Sequence, residues 1–288
     1  MPELPEVETM RRGIADVVGS VIVDVERVPC ERKPILISPR IATLRRRVVG
    51  QAVVTVDRVG KRVLLRLESG DALIFEPRMT GLVLLADPPS VEHLRMQLMF
   101  DRSPSSLWYW DRRGLGSVRL LTATQQQQQL GPHKLGPDAL AITEDDLRAR
   151  LQGSRRAIKV ALLDQKVVAG VGNLYASELL HLAAVHPAKR CDQLTRADWR
   201  AVHQQMLHVL HEAIRYEGST LSDGTYRNAL NQAGGYQNQH RVYDREGADC
   251  PSCRNGRIER IVQTQRSTFF CKSCQPRRGR RREVVQGD

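Results

Sequence analysis

The sequence predicts an α+β protein: an N-terminal β-sandwich with one N-terminal helix, a helical middle, and a C-terminal four-cysteine hairpin. Three observations carry this. Eight short apolar or alternating runs crowd the first 120 residues, the periodicity turns helical beyond residue 138, and two Cys-x2-Cys pairs lie near the C-terminus. With 288 residues and 41% hydrophobic content, the chain can fill more than one core.

The first helix is signalled by Pro5 at a suitable first-turn position and by Glu6 and Glu8 at its positive end. Val7, Met10, Ile14 and Val17 then share one face. Strands are expected at 21–25, 53–56, 63–67, 73–75, 82–85, 96–100, 107–110 and 117–121, separated by Gly, Pro, Asp and Ser. The sandwich is thus assigned to residues 1–124. The glutamine run Gln125–Gln129 with Gly131, Pro132, Gly136 and Pro137 reads as a linker over 125–137. A helical domain is expected over 138–238. Thr143 with Asp146, and Thr195 with Asp198, resemble capping boxes, and Trp199, Val202, Met206, Val209, Ala213 and Ile214 line one long helix. The cysteine module spans 239–275, and an arginine-rich tail without apolar periodicity, expected to be disordered, fills 276–288.

Charge narrows the partners. Lys and Arg outnumber Asp and Glu by 44 to 32, a net +12 that favours a polyanion. Residues 241–288 alone hold 12 basic against 6 acidic residues, half of that excess. The start MPELPEVETMRRG lacks the basic and apolar regions of a signal peptide, and no run approaches the roughly 18 apolar residues of a membrane span. A cytoplasmic, monomeric protein with no membrane role is expected.

In that setting the cysteines read as metal ligands. Cys250 and Cys253 are separated from Cys271 and Cys274 by 17 residues, the spacing of a four-cysteine zinc ribbon. Four thiolates leave no open coordination position, so one structural Zn2+ is expected; two disulfides are the alternative, disfavoured by the compartment. Arg257–Val262 and Thr268–Phe270 read as a hairpin with Arg266 near its turn, where a guanidinium is well placed to probe phosphate.

The N-terminus carries chemistry. Initiator methionine is normally removed before proline, which leaves Pro2 with a secondary amine that can attack a sugar carbon and form an imine. Glu3 beside it can donate a proton to the sugar ring oxygen. Met1-Pro2-Glu3-Leu4-Pro5-Glu6-Val7-Glu8-Thr9 with Arg11-Arg12-Gly13 resembles the start of formamidopyrimidine-DNA glycosylases. Gly170-Val171-Gly172-Asn173-Leu174-Tyr175-Ala176-Ser177-Glu178 is similar to that family's helix–two-turn–helix segment. Gln265-Arg266-Ser267-Thr268-Phe269-Phe270-Cys271 resembles its zinc finger. The matches fall in the family's order and reach residue 275.

The resemblance implies roles position by position. Pro2 is the nucleophile, Glu3 the acid that opens the sugar, and Glu6 a supporting carboxylate. Lys61 contacts the phosphate beside the lesion, while Asn173 and Arg266 grip flanking phosphates and Tyr175 belongs to the same DNA-binding segment. Met79, Arg113 and Leu115 fill the gap left by the extruded base, since unstacking a base costs a few kcal/mol that an inserted side chain partly recovers. Ser219–Tyr236 matches a mobile lid over the base. Two departures stand out: Glu76-Pro77-Arg78 replaces the family's His-Leu-Gly, and Leu115 replaces its usual phenylalanine.

The implied function is excision of oxidised purines (8-oxoguanine, formamidopyrimidines) from double-stranded DNA, followed by β,δ-elimination at the abasic site, with DNA in a basic cleft between the domains. Two alternatives share the features. One is an endonuclease VIII-like enzyme for oxidised pyrimidines; the Leu-Pro-Glu-Val-Glu start and the lid segment favour purines. The other is a catalytically silent damaged-DNA-binding protein, which has no need for the Pro2, Glu3 and Lys61 set.

Overall fold

The computed structural model describes residues 2–221, 224–253 and 255–277. The expected tail lies outside the described residues from Arg278 onward. The chain divides into two compact units. One comprises Met1–Ala139, Val168–Gly170 and Leu210–Gln239; the other comprises Leu140–Val167, Val171–Val209 and His240–Asp288.

In the first unit, helix α1 (Leu4–Gly13) begins at Glu3, with Pro5 in its first turn. Its predicted apolar face is completely buried at Val7, Met10 and Ile14, and Val17 beyond the helix is buried as well. Each such side chain contributes about 1.5–3 kcal/mol relative to exposure. All eight predicted strands form: β1 (Ile22–Arg27), β3 (Val53–Val59), β4 (Arg62–Leu67), β5 (Ala72–Glu76), β6 (Gly81–Leu84), β7 (Leu94–Phe100), β8 (Ser106–Asp111) and β9 (Ser117–Leu121). Two further elements, strand β2 (Leu36–Ser38) and helix α2 (Ile41–Val48), were not expected.

The strands make two sheets, one ordered β1-β7-β8-β6 and the other β2-β9-β5-β4-β3. Strand β2 pairs with β9 in parallel, whereas β3, β4, β5 and β9 pair antiparallel with one another in order along that sheet. Period-two alternation sends Val63, Leu65, Leu73 and Phe75 of one sheet into a shared core with Met96, Leu98, Leu107 and Tyr109 of the other. The opposite face of the second sheet is also covered: Leu64, Ala72, Ile74 and Leu121 pack with Leu130.

Leu130 ends helix α3 (Ala123–Leu130), which corrects the linker expectation in part. The glutamine run is helical, started by a capping box in which Thr122 Oγ1 accepts from Gln125 N and Gln125 Oε1 accepts from Thr122 N. Gln126 then donates to the carbonyls of Gly70 and Leu121. None of its residues is buried, so the run still builds no core.

The second unit holds α4 (Glu144–Leu151), α5 (Ile158–Leu162), α6 (Asn173–Leu182) and the hairpin β10 (Ile258–Gln263)–β11 (Arg266–Cys271). Helix α7 (Arg196–Arg215) buries all six predicted face residues. Its start has both capping-box bonds, Thr195 N to Asp198 Oδ2 at 2.8 Å and Asp198 N to Thr195 Oγ1 at 3.1 Å. At α4 the Thr143 hydroxyl accepts from Asp146 N. The hairpin turns through Thr264 and Gln265, both in the left-handed region, and Arg266 opens the returning strand.

Candidate active site and metal centre

In the first unit, chain direction and the α1 start bring Pro2 beside two buried carboxylates. Glu3 and Glu6 are each 3% exposed. Glu6 Oε2 accepts from Glu3 N at 2.8 Å, and Glu6 Oε1 accepts from Ser219 N at 2.9 Å. One carboxylate therefore fixes both the start of α1 and the beginning of the segment predicted to act as a lid. Gly218 is required there: its φ is +79°, and a Cβ would lie 2.9 Å from Glu6 Oε1. Leu4 N is held by Gly170 O at 3.1 Å. Gly170 has a φ of +111°, and a Cβ there would stand 2.4 Å from Leu4 Cδ1.

Pro2 lines a narrow pocket with Met79, Thr80, Ser219, Leu221, Thr225 and Tyr226. The structure thus gathers the predicted nucleophile, a predicted gap-filling side chain and the lid segment around one opening. Tyr226 Oη donates to Glu217 O at 3.0 Å, and the ring is 4% exposed. Ser222 and Asp223 of that segment lie outside the described residues.

Met79 and the Arg113–Leu115 loop are tied together by a buried carboxylate. Asp111 Oδ1 accepts from the Thr80 hydroxyl and from Arg113 N, and Asp111 Oδ2 accepts from Gly116 N at 2.8 Å. Arg113 N also reaches Thr80 Oγ1 at 3.0 Å. The buried Arg95 guanidinium grips Asp111 O from below. Above this tie Arg113 and Leu115 are exposed, Leu115 at 38%, and Met79 is half-buried. Lys61 sits half-buried in the β3–β4 turn after Gly60.

Behind α1, Glu8 receives Arg11, Arg12 and Arg58, and Arg58 also forks onto Asp138. Burial opposes ionisation of Glu8, but the hydrogen bonds and charges of these arginines prevail and hold its pKa down at about 2.

In the second unit, Asn173 opens α6 with its side chain on the hairpin: Nδ2 donates to Ser267 O at 3.0 Å. Lys159, 1% exposed, was missed by sequence reasoning. Its Nζ donates to Asn173 Oδ1 (2.7 Å), Thr268 Oγ1 (2.7 Å) and Ser267 O (3.1 Å). A lone lysine in the apolar stretch Ile158–Leu163 was the available signal. The lysine orients the Asn173 amide and fixes the strand that carries the exposed Arg266. Tyr175, which the resemblance implied as a DNA-binding position, is fully buried on α6.

The four cysteine sulfurs lie within 4.8 Å of one another. Cys250 to Cys274 is 3.7 Å and Cys253 to Cys271 is 3.8 Å. A tetrahedral ion with thiolates at about 2.3 Å requires sulfurs roughly 3.8 Å apart, so the donor set fits a metal. Behind it, His181 bonds Ser252 Oγ at 2.9 Å and Gln275 Oε1 at 3.3 Å, and Gln275 Nε2 donates to Val185 O. This supporting layer was also not foreseen. Glu178, fully buried, accepts from the amides of Arg241, Val242 and Tyr243 and so anchors the entry to the module on α6.

A buried Pro2 with adjacent buried carboxylates on a sandwich, together with a helical unit that carries a four-cysteine hairpin, fits the class of DNA glycosylases that the N-terminal motif implies. Residues 1–118 match the formamidopyrimidine-DNA glycosylase N-terminal domain, and residues 135–225 match the formamidopyrimidine-DNA glycosylase H2TH domain. The chain belongs to the formamidopyrimidine-DNA glycosylase family. It is 39% identical over 280 residues to the formamidopyrimidine-DNA glycosylase of Chloroflexus aggregans, covering 96% of this chain and 98% of that one. Among solved structures, a Lactococcus lactis Fpg mutant in complex with Fapy-dG-containing DNA superposes with a TM-score of 0.85 at 32% identity, over 96% of this chain and 100% of that one. The MutM (Fpg) protein of Thermus thermophilus gives 0.83 at 35%, over 95% and 98%.

Proposed function

We propose that this chain excises oxidised purines from duplex DNA and cleaves the strand at the resulting abasic site, acting as a single chain. The observation that carries the reading is Pro2, buried beside Glu3 and Glu6 and lining one pocket with Met79 and the lid residues. The Pro2 amine attacks the sugar carbon that bears the damaged base, the base departs, and Glu3 protonates the ring oxygen as the sugar opens. The iminium so formed acidifies the neighbouring carbon, and two successive eliminations expel the 3′ and then the 5′ phosphate. Hydrolysis of the iminium frees Pro2 and leaves a one-nucleotide gap. Lys61, Asn173 and Arg266 hold backbone phosphates, while Met79, Arg113 and Leu115 occupy the gap in the stack.

The four cysteines hold Zn2+, whose place is structural: it fixes the hairpin that presents Arg266. Among the described residues no helix is long and apolar enough to cross a membrane. A cytoplasmic enzyme acting on the nucleoid suits the net charge of +12.

The lesion class is tested by comparing excision from duplexes carrying 8-oxoguanine opposite cytosine with those carrying thymine glycol. Faster release of 8-oxoguanine is expected. A clear preference for thymine glycol would move the chain's activity to the endonuclease VIII type.

A further inference from the structure

Where the family's His-Leu-Gly run would stand, the chain places Glu76-Pro77-Arg78, and the structure shows what these residues assemble. The Glu76 carboxylate receives three guanidiniums: Arg78 Nε at 2.8 Å, Arg62 Nη2 at 3.3 Å and Arg119 Nη2 at 3.3 Å. Together with Lys134 they line an open depression of about 410 Å3 that also includes Leu115. Among these lining residues, four cations face one carboxylate.

The arrangement is costly in three ways. Like charges are drawn together, which one carboxylate cannot balance. The Nε atoms of Arg62 and Arg119 are buried with no hydrogen-bond acceptor, although buried donors are normally satisfied. Arg78 adopts a φ of +54°, a left-handed conformation that glycine takes without steric penalty. Costs concentrated at one exposed place point to a ligand that removes them. The missing partner is an anion with several acceptor oxygens, and guanidinium forks match phosphate best.

Its source follows from position. Arg78 immediately precedes Met79, and Leu115 forms part of the depression's wall, so the site adjoins the two apolar side chains assigned to the gap in the base stack. We propose that Arg62, Arg78 and Arg119, gathered by Glu76, form a seat for a backbone phosphate of the bound DNA, with the exposed Arg78 closing on it. The inference rests on the DNA-repair reading given above.

Arg78→Gly provides the test, because glycine suits the backbone and the variant should be at least as stable as the parent. Binding to a duplex with a tetrahydrofuran abasic analogue is measured between 50 and 200 mM salt for the parent, Arg78→Gly and Arg78→Lys. Loss of one phosphate contact should flatten the log–log salt slope by about 0.9, so that the affinity ratio of parent to variant changes about 3.5-fold across that range. Arg78→Lys should restore most of the slope. A single methylphosphonate, walked along the duplex, should abolish the difference between parent and Arg78→Gly at one position.

An unchanged slope and affinity with a raised thermal midpoint would overturn the proposal and leave Arg78 as a structural ion-pair partner. Methylphosphonate duplexes that all preserve the difference would assign the seat to free phosphate and overturn it equally. Borohydride trapping of each protein keeps the two readings apart. An adduct with an unchanged slope removes only the seat, whereas a flattened slope without any adduct removes only the proposed reaction.

Discussion

Glu6 joins the amides of Glu3 and Ser219, the latter 213 residues further along the chain. Anything that displaces this carboxylate disturbs the start of α1 beside Pro2 and the segment that begins at Ser219 together. Gly218→Ala puts a methyl group 2.9 Å from Glu6 Oε1 on a left-handed backbone. The expected result is about 1–3 kcal/mol of lost stability and a slower base-excision step, checked by denaturant melts and single-turnover kinetics. Lys159→Met should leave the Asn173 amide and the Ser267 carbonyl without their ammonium partner. We expect roughly tenfold weaker binding to an abasic-analogue duplex with metal content unchanged, as measured by anisotropy and metal analysis. Pro2, Glu3, Glu6, Met79, Arg113, Asn173 and Arg266 can be singled out as candidates from the sequence because each lies within a short contiguous motif. The sequence hid the Glu6–Ser219 bond and the Lys159 triad because such contacts join segments far apart in the chain and leave no local pattern.

At the scale of elements, short apolar or alternating runs bounded by turn residues identified all eight of the longer strands of the sandwich. Strand β2 escaped because it has three residues, between Pro34 and Pro39, and its partner is parallel. Helix α2 escaped because Arg45, Arg46 and Arg47 obscure the two buried positions, Leu44 and Val48, that define its face. Composition alone marks the glutamine helix as a linker, because the Thr122–Gln125 cap that starts it rests on two residues outside any apolar pattern. Two loops behave as one element because Asp111 joins Thr80 to Arg113 and Gly116. Thr80→Val should uncouple them, lowering the rate of base extrusion by about tenfold in stopped-flow 2-aminopurine fluorescence, and Thr80→Ser should recover it. Equal rates for Thr80→Val and the parent would show that the loops act independently. In the cysteine module, Cys250→Ser should release the metal and loosen the β10–β11 hairpin, read by metal analysis and proteolysis; full metal content would refute the four-cysteine site.

For the whole molecule, acid should act in two windows. Burial, followed by the charges of Arg245 and Arg241, lowers His240 from 6.5 to about 4, so the folded chain holds it neutral. Its contribution is complete above pH 6.5 and lost as pH falls toward 4. Glu8 follows, with its arginine partners holding it at about 2 against an ordinary 4.5, so its contribution disappears between about 4.5 and 2. Denaturant midpoints should therefore decline from pH 6.5 downward and again below 4.5, and His240→Gln should flatten the first decline. The net charge of +12 adds self-repulsion as carboxylates protonate and reinforces the same direction.

Whether Pro2 performs the chemistry is decided by borohydride trapping on a duplex with 8-oxoguanine opposite cytosine. The expected product is a covalent protein–DNA adduct that maps to Pro2 and disappears in Pro2→Gly, while that variant retains most of its DNA binding. Undiminished trapping in Pro2→Gly, or an adduct that maps to a lysine, would contradict that role for Pro2.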